Sequence, residues 1–405
     1  MHRMLENLGN PQNGLKYIHV AGTNGKGSIC TMLSSILVEC NYKVGLFVSP
    51  FVVNFRERMQ INGKMISKAD FTRLLSSTIP FIKSENESAT EFEVITAIAF
   101  QWFRDQLCDI VILETGLGGR LDATNIVKST LISVIASISF DHTEILGKTI
   151  KKITTEKCGI IKPGSTTVLY PNQRREVYSV VSEMCKSKNS KLLIPDLSDI
   201  RIVKKDIKGT NLISNEIEYH LPLLGIHQVK NISVVFAILD ELEKLGWKIK
   251  PADKRRAIEN IKIPARIEIF SEHPLIILDG AHNPSGIDAL VKVIKDYVTE
   301  KRVFAIFGML SKKNWRVCLK KIAPFLTKII VTKPNHIMAC EPYVLADFLS
   351  GMGCEVIVET ENKIALKNAL SICNKDDALL IFGSLYLASE IRPKLIEYFK
   401  FYDNI

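Results

Sequence analysis

No run of about 18 apolar residues occurs in this sequence, which excludes a membrane-spanning helix of the usual length. The chain opens Met1-His2-Arg3-Met4-Leu5-Glu6-Asn7, with neither a long apolar region nor a small-residue cleavage site, so no signal peptide is predicted. None of its 9 cysteines pairs at C-x-x-C spacing, and the number is odd. Cys30, Cys40, Cys108 and Cys158 sit among apolar residues, which favours small reduced thiols in a cytoplasmic protein over zinc or disulfides. No basic stripe interleaves with aromatic residues, so no nucleic-acid partner is expected. Short-period repeats and low-complexity segments are also missing. The net charge is +10, but its lysines are scattered, with short clusters only at Lys151-Lys152, Lys204-Lys205 and Lys312-Lys313. This reads as a solvated lysine-rich surface; drawing in an anionic substrate needs only a local field.

What is present is the composition of an ordinary globular protein, 46% hydrophobic and 24% charged over 405 residues, long enough for two to three domains. The most informative stretch is Gly22-Thr23-Asn24-Gly25-Lys26-Gly27-Ser28. An apolar run over 17–20 leads in and an apolar-periodic run over 29–40 leads out, so the spacing predicts strand, glycine loop and helix. Such a loop turns backbone N–H groups inward, and the following helix adds its positive end, which together hold a phosphate. Lys26 would add a point charge and Ser28 a hydroxyl near a magnesium ion. The common P-loop pattern asks for a glycine at position 20, where this chain has Val20, so the loop is a shortened variant.

Strand 44–48 completes a βαβ unit and implies a parallel sheet. Residues 54–63 read as loop and hairpin, Ser67 as the cap of a helix to about residue 80, and 83–90 as a polar loop. An amphipathic helix over 91–107, a strand over 110–113, a buried strand over 131–138, a helix over 149–159 and a short strand at 168–169 follow. Residues 191–224 suggest short β elements, and 231–245 and 252–260 suggest helices. From there strands near 275–278, 303–307, 328–331, 355–358 and 378–382 alternate with short helices. The expected fold is α/β: a parallel-sheet P-loop domain over 1–264 and a smaller, Rossmann-like α/β domain over 265–405.

Polar residues gather just past the N-terminal strands: Ser49, Glu114 and the pair Asp141-His142. Ligands of parallel sheets bind at the carboxyl ends of strands, and the loop at Gly22 leaves that same edge. A hydroxyl, a carboxylate and an imidazole beside a triphosphate suit Mg²⁺, which keeps several waters and takes few protein ligands. Singly, Glu114 reads as a helix N-cap or turn carboxylate and His142 as a loop histidine; their shared edge favours the metal reading. Lys157, by residue physics alone, reads as a surface helix lysine. In the second half Asp279 stands at a strand end and would accept a ribose hydroxyl or cap the Pro-initiated helix after it. Arg266 would reach a phosphate bidentately or form a salt bridge at the domain boundary. Gly383-Ser384-Leu385-Tyr386 is either another helix-start anion site or a plain strand-to-helix turn.

Together these marks resemble folylpolyglutamate synthase/dihydrofolate synthase, the folate branch of the Mur ligase family. The resemblance rests on Leu8-Gly9-Asn10-Pro11-Gln12, His19-Val20-Ala21-Gly22 through Ser28, Ser49-Pro50, Glu57-Arg58, Gly118-Gly119-Arg120-Leu121-Asp122-Ala123-Thr124-Asn125, Asp141-His142, Glu156-Lys157, His227-Gln228, Asp279-Gly280-Ala281-His282-Asn283-Pro284 and Gly383-Ser384-Leu385-Tyr386-Leu387. It implies ATP in a cleft between an ATPase domain and a C-terminal glutamate-ligase domain, with Asn24, Gly25, Lys26, Gly27 and Ser28 on the phosphates. It implies one Mg²⁺ on Ser49 and Glu114 and a second on His142, assisted by a carbamate on Lys157. Asn231 matches a position near adenine, Arg266 a phosphate contact and Asp279 the ribose contact. His282, Ser384 and Tyr386 fall where the incoming L-glutamate is received, His282 as a catalytic group, while Arg58 and Asp122 lie toward the pterin.

The implied reaction is ATP-dependent addition of L-glutamate to the terminal carboxylate of tetrahydrofolate through an acyl phosphate, with dihydropteroate open as a second acceptor, in a monomeric cytoplasmic enzyme with no membrane or nucleic-acid partner. Phe51 stands where histidine often follows Ser-Pro, Ala265 where glycine often precedes the arginine, and Ser311-Lys312-Lys313-Asn314 where the family usually carries Asp-Lys-Asp. Family members usually carry a longer segment before Leu8-Gly9-Asn10-Pro11, which implies a start further upstream or a missing substrate-flanking segment. Two other readings therefore stay open: a Mur-type amide ligase for another amino-acid acceptor, and a nucleotide-binding protein without ligase activity.

Overall fold

The computed structural model describes residues 1–82 and 88–402. Of the polar loop expected over 83–90, residues 83–87 fall outside the described residues. The chain divides into two compact units, one holding Met1–Lys205, Gly209–Pro222 and Ile226–Ile261, the other Asp206–Lys208, Leu223–Gly225 and Lys262–Ile405.

The first unit is built on an 8-stranded sheet. Its neighbours run Lys64–Met65, Met59–Ile61, Val44–Phe47, Ile110–Glu114, Tyr17–Ala21, Ile132–Ile135, Thr166–Leu169 and Lys191–Leu193. From Val44–Phe47 onward every pairing is parallel, and the hairpin at the other edge is antiparallel. Tyr17–Ala21, Val44–Phe47, Ile110–Glu114, Ile132–Ile135 and Thr166–Leu169 are buried at every residue. That is why they read as continuous apolar runs instead of alternating ones: helices cover both faces of a parallel sheet.

Helices Lys68–Thr78 and Glu91–Asp105 contribute Leu74, Val94, Ile98 and Phe103 to a core with Tyr17, Phe47, Val111 and Leu113. Ser67 caps the first of them, its Oγ accepting from the Asp70 amide at 2.9 Å. A second core gathers Ala21 and Ile135 with Ile153 of helix Ile150–Cys158 and Val177 and Val181 of helix Arg175–Ser187. Helix Lys26–Glu39 begins three residues before the apolar periodicity suggested, directly after Gly25. An antiparallel 3-stranded sheet, Ile200–Asp206, Gly209–Ser214 and Ile217–Leu221, precedes helix Ile226–Lys244.

The second unit carries a 6-stranded sheet in the order Glu268–Glu272, Leu275–Leu278, Ala378–Phe382, Val303–Phe307, Lys328–Val331, Val356–Val358. All pairings are parallel except the first. The edge strand Glu268–Glu272 was not anticipated; it is half-exposed, irregular in register and flanked by charge, so it carries no apolar run. Nor are the intervening helices uniformly short: Pro284–Tyr297 has 14 residues. In both sheets the connections bring the loops after parallel strands to one edge, where the chemistry-bearing residues lie.

Gly22, at the end of strand Tyr17–Ala21, lies against the next strand's exit. A Cβ there would stand 2.7 Å from Ala136 Cβ and 3.1 Å from Ala136 backbone atoms, which no rotamer can relieve. Gly22→Ala is expected to lower unfolding free energy by about 1–3 kcal/mol in urea denaturation.

Candidate active site

The glycine loop is held by the segment that follows the neighbouring strand Ile132–Ile135. The amides of Thr23 and Asn24 donate to Ser137 O at 2.7 and 3.2 Å, and Thr23 Oγ1 donates to Ser139 O at 3.0 Å. Gly25 then turns left-handed, φ 86°, and starts the helix with no side-chain cap, so the first-turn amides keep their capacity for a ligand. An L side chain at Gly25 would be strained and would also meet Asn231 Oδ1 at 2.7 Å. Asn231, expected near adenine, is thus packed on the loop, with its Nδ2 donating to Gln228 Oε1 at 2.9 Å.

Glu114, the last residue of strand Ile110–Glu114, is buried beneath this loop. Its Oε1 lies 3.8 Å from Lys26 Nζ, and its Oε2 accepts the Ser49 amide at 3.1 Å. Ser49 Oγ in turn accepts from Arg58 Nη1 at 3.0 Å, and the Arg58 guanidinium lies over the rings of Phe51 and Phe55, 5.3 and 5.8 Å from their centroids. A continuous series from Lys26 through Glu114 and Ser49 to Arg58 therefore joins the phosphate loop to its neighbour. That neighbour is a cavity of about 820 Å³ lined by Ser49, Arg58, Phe92, Asp122 and the glycine-rich segment from Gly116 to Leu121. Asp122 faces inward along its own loop: Oδ2 accepts the Leu117 amide at 2.8 Å, and Oδ1 accepts Thr124 N at 3.0 Å and Thr124 Oγ1 at 2.5 Å.

Lys157 is where the plain reading fails. It is 4% exposed, not a surface lysine, and its Nζ donates to the Gly22 carbonyl at 2.7 Å. Burial, then the Lys26 charge, pulls its pKa down to about 7, with Asp141 and Asp122 opposing. The glycine-rich segment packs directly on its helix: a Cβ at Gly119 would stand 2.7 Å from the Lys157 carbonyl oxygen, and the Arg120 amide donates to Glu156 O at 2.7 Å. His142 sits left-handed at φ 49° before helix Thr143–Leu146, half-exposed, with Nε2 3.8 Å from Asp141 Oδ1.

In the second unit Arg266 is flanked by two non-glycine residues in the left-handed region, Ala265 at φ 54° and Ile267 at φ 50°. A β-branched residue there is a genuine outlier, and such strain persists only where surroundings impose it. Glu268 Oε2 accepts the Ala265 amide at 2.9 Å, Asp279 Oδ2 accepts the Ile267 amide at 2.8 Å, and Arg392 clamps Glu268 with Nη2 to Oε1 at 2.7 Å. Asp279 is buried; burial pushes its carboxyl up, against the Arg266 charge. It is not the helix cap: Asn283 Oδ1 takes that place, accepting Gly286 N at 2.8 Å. His282 Nδ1 donates to Gly280 O at 2.9 Å, which leaves Nε2 as the acceptor of the neutral ring. Ser384 Oγ accepts Leu387 N at 3.1 Å, and the Tyr386 ring, 41% exposed, lies 4.4 Å from that of His336.

Glu268 and Arg392 stand outside every sequence motif, and His19 and Thr124 entered only as members of one. The available signal for His19 was a polar residue inside an otherwise apolar strand. Among the described residues no group of three or more His, Cys, Asp and Glu side chains could hold a metal, so any metal here must draw on other donors.

The Lys157 amine sheds its proton near pH 7 when folded but keeps it to 10.5 when unfolded, so the unfolded chain binds more protons in that window. Wild-type stability should therefore rise with pH across the window, by at most about 1.4 kcal/mol per pH unit, relative to Lys157→Met in CO₂-free buffer. Parallel denaturation curves for the two proteins would refute the assignment.

Residues 20–239 match the model of the Mur ligase middle domain, and residues 265–385 that of the Mur ligase glutamate ligase domain. The chain is 32% identical to dihydrofolate synthetase of Saccharomyces cerevisiae over 96% of its own length and 95% of that protein. It is 31% identical to dihydrofolate synthase/folylpolyglutamate synthase of Bacillus subtilis, covering 98% of this chain and 94% of that one. Among solved structures, Mycobacterium tuberculosis folylpolyglutamate synthase complexed with ADP and AMPPCP superposes with a TM-score of 0.88 at 26% identity, over 97% of this chain and 94% of that one. E. coli FolC in complex with DHPP and ADP gives 0.86 at 27% identity, over 98% and 92%. Two family models that between them span most of the chain, and relatives above 30% identity over nearly its full length, show that the chain belongs to the folylpolyglutamate synthase/dihydrofolate synthase branch of the Mur ligase family.

Proposed function

We propose that this chain is an ATP-dependent ligase that joins L-glutamate to the terminal carboxylate of a reduced folate, with dihydropteroate as a second acceptor. The observation that carries the reading is the series Lys26–Glu114–Ser49–Arg58, which joins a phosphate loop to a roomy cavity. An acceptor lying in that cavity, with Arg58 and Asp122 toward its pterin, would present its terminal carboxylate to the γ-phosphate held by Lys26 and the loop amides from Asn24 to Ser28. The carboxylate oxygen bonds to the γ-phosphorus as the bond to the β-phosphate oxygen breaks, giving an acyl phosphate and ADP. The glutamate amine then attacks the acyl carbon, phosphate leaves, and the amine proton goes to a base. His282 Nε2 is the candidate base, since its Nδ1 is committed to Gly280 O.

Residues 1–264 act as the ATP-binding domain and 265–405 as the glutamate-ligase domain, where Arg266, Asp279, Ser384 and Tyr386 are the further ligand contacts. Asn231 serves the nucleotide through the loop it packs on. Asp122 faces the pterin side of the cavity through its loop. The Glu114 carboxylate and Ser49 hydroxyl fit one Mg²⁺ that arrives with ATP, and His142 a second, because hard oxygen donors, waters and phosphates suffice for this ion. When bound, Mg²⁺ neutralises phosphate charge.

Lys157 fits carbamylation. A low pKa makes the nucleophilic neutral amine abundant near pH 7, and the carbamate replaces a cation repelled by Lys26 with an anion attracted to it. We read the enzyme as a cytoplasmic monomer without nucleic-acid or membrane partners; its cysteines are free thiols, most of them buried, as a reducing compartment favours.

Phosphate release from ATP should require both tetrahydrofolate and L-glutamate, with glutamylated folate as product by mass spectrometry. Equal release without folate would rule out the ligase reading. Arg58→Ala should raise acceptor KM by roughly tenfold or more, the loss of a charge-assisted contact. Lys157→Ala should lose most activity, on the order of a hundredfold, and regain part of it with added short carboxylates. Turnover like wild type in Lys157→Ala would refute the carbamate.

A further inference from the structure

His19 is fully buried in strand Tyr17–Ala21, beside four apolar neighbours, where an imidazole is costly unless it has a task. Its Nε2 lies 2.8 Å from Thr124 Oγ1, and Thr124 Oγ1 lies 2.5 Å from Asp122 Oδ1. Asp122, with three donors aimed at it, acts as the acceptor, so the single hydroxyl proton of Thr124 goes to Asp122. Thr124 Oγ1 must then accept from the ring, which assigns the neutral tautomer with its proton on Nε2 and leaves Nδ1 a lone pair without a hydrogen-bond partner. Burial, aided by the Lys162 charge, drives the ring pKa down to about 3, so this direction of donation holds across the neutral range.

The order of donation therefore runs from the sheet interior outward: His19 to Thr124, Thr124 to Asp122, with Asp122 in turn accepting the Leu117 amide. Leu117 and Asp122 both line the cavity. The following residue, Asn125, is anchored separately, by Lys162 Nζ donating to Asn125 Oδ1 at 2.8 Å and Asn125 O at 3.2 Å. Neither Thr124 nor His19 is among the lining residues, so both act on the wall from behind.

We infer that His19 is a positioning residue for the acceptor: a buried donor that, through Thr124, sets the Asp122 carboxylate and the Leu117 turn in the orientation that holds the acceptor's ring. The inference rests on the cavity receiving the folate acceptor. It predicts a split in kinetics that a packing role would not produce, because the phosphate loop and the glutamate-side residues do not depend on this chain of donors.

The test measures Kd for tetrahydrofolate and dihydropteroate by titration, KM for acceptor, ATP and glutamate, and thermal stability, in wild type, His19→Leu, His19→Gln and Thr124→Val. His19→Leu and Thr124→Val should weaken acceptor binding roughly tenfold or more, with ATP KM little changed, and His19→Gln, whose amide can donate from nearly the same place, should recover most of the affinity. His19→Gln as impaired as His19→Leu, or losses shared equally by acceptor, ATP and glutamate, would overturn the inference in favour of packing alone. Thr124→Val keeps the strand intact and decides the matter should both His19 variants fail to fold: unchanged acceptor affinity in it overturns the inference. A folded wild type that binds neither acceptor overturns the cavity reading itself, and the inference with it.

Discussion

The buried carboxylate of Glu114 is the constraint on which the catalytic edge depends. A charge taken out of water needs partners, and breaking a buried pair from one side is strongly destabilising. Glu114 meets that need with Lys26 from the phosphate loop and the amide of Ser49 from the neighbouring strand's exit. Each partner belongs to a different loop, so one carboxylate brings three strand ends into register. The parallel sheet makes this possible because strands Val44–Phe47, Ile110–Glu114 and Tyr17–Ala21 are adjacent and end at the same edge. Lys26 and Glu114, 3.8 Å apart, offset one another's charge in this low-dielectric setting.

A second connection runs through Lys157. Its ammonium or amine holds the Gly22 carbonyl, while its own backbone carbonyl forms the floor on which Gly119 rests. The phosphate loop and the cavity wall thus share one helix end, and both are tied to the same short segment of chain. Close approach of backbones explains why glycine occupies the junction, since any side chain at Gly119 would push the wall off the helix. In the second unit the strain at Ala265 and Ile267 serves a comparable purpose. Hydrogen bonds from two carboxylates and the Arg392 clamp hold a backbone that would not stay in this conformation alone, and Arg266 is presented from it.

Much of this was legible in the chain. The phosphate loop announces itself because Gly25 must adopt a positive φ and Lys26 must follow it, a local requirement that leaves a local signature. The strands around it are legible as continuous apolar runs, since strands buried on both faces do not alternate, whereas their order in the sheet came only from the structure. Ser67 was readable as a cap for the same reason, as its partner amide is three residues away. Helix Lys26–Glu39 starts three residues before the apolar period because Lys26, Gly27 and Ser28 carry no apolar period. The edge strand Glu268–Glu272 was missed because half-exposed pairing leaves no hydrophobic run. At residue 265 the family's frequent glycine becomes intelligible in retrospect: Ala265 occupies the left-handed region that glycine enters without cost.

The sequence by itself determined the α/β class, the succession of strands and loops along the chain, and the chemistry available at the edge, because these depend on neighbours a few residues apart. Only the tertiary structure decided what long-range contacts do to single side chains. Lys157 looks like any helix lysine until residue 22 is brought to its Nζ and burial removes its charge preference. His19 looks like one odd letter in an apolar strand until Thr124, 105 positions away, gives its ring a direction. Burial and proton direction are properties of the surroundings and not of the residue, and those surroundings are assembled from parts of the chain that carry no local mark of one another.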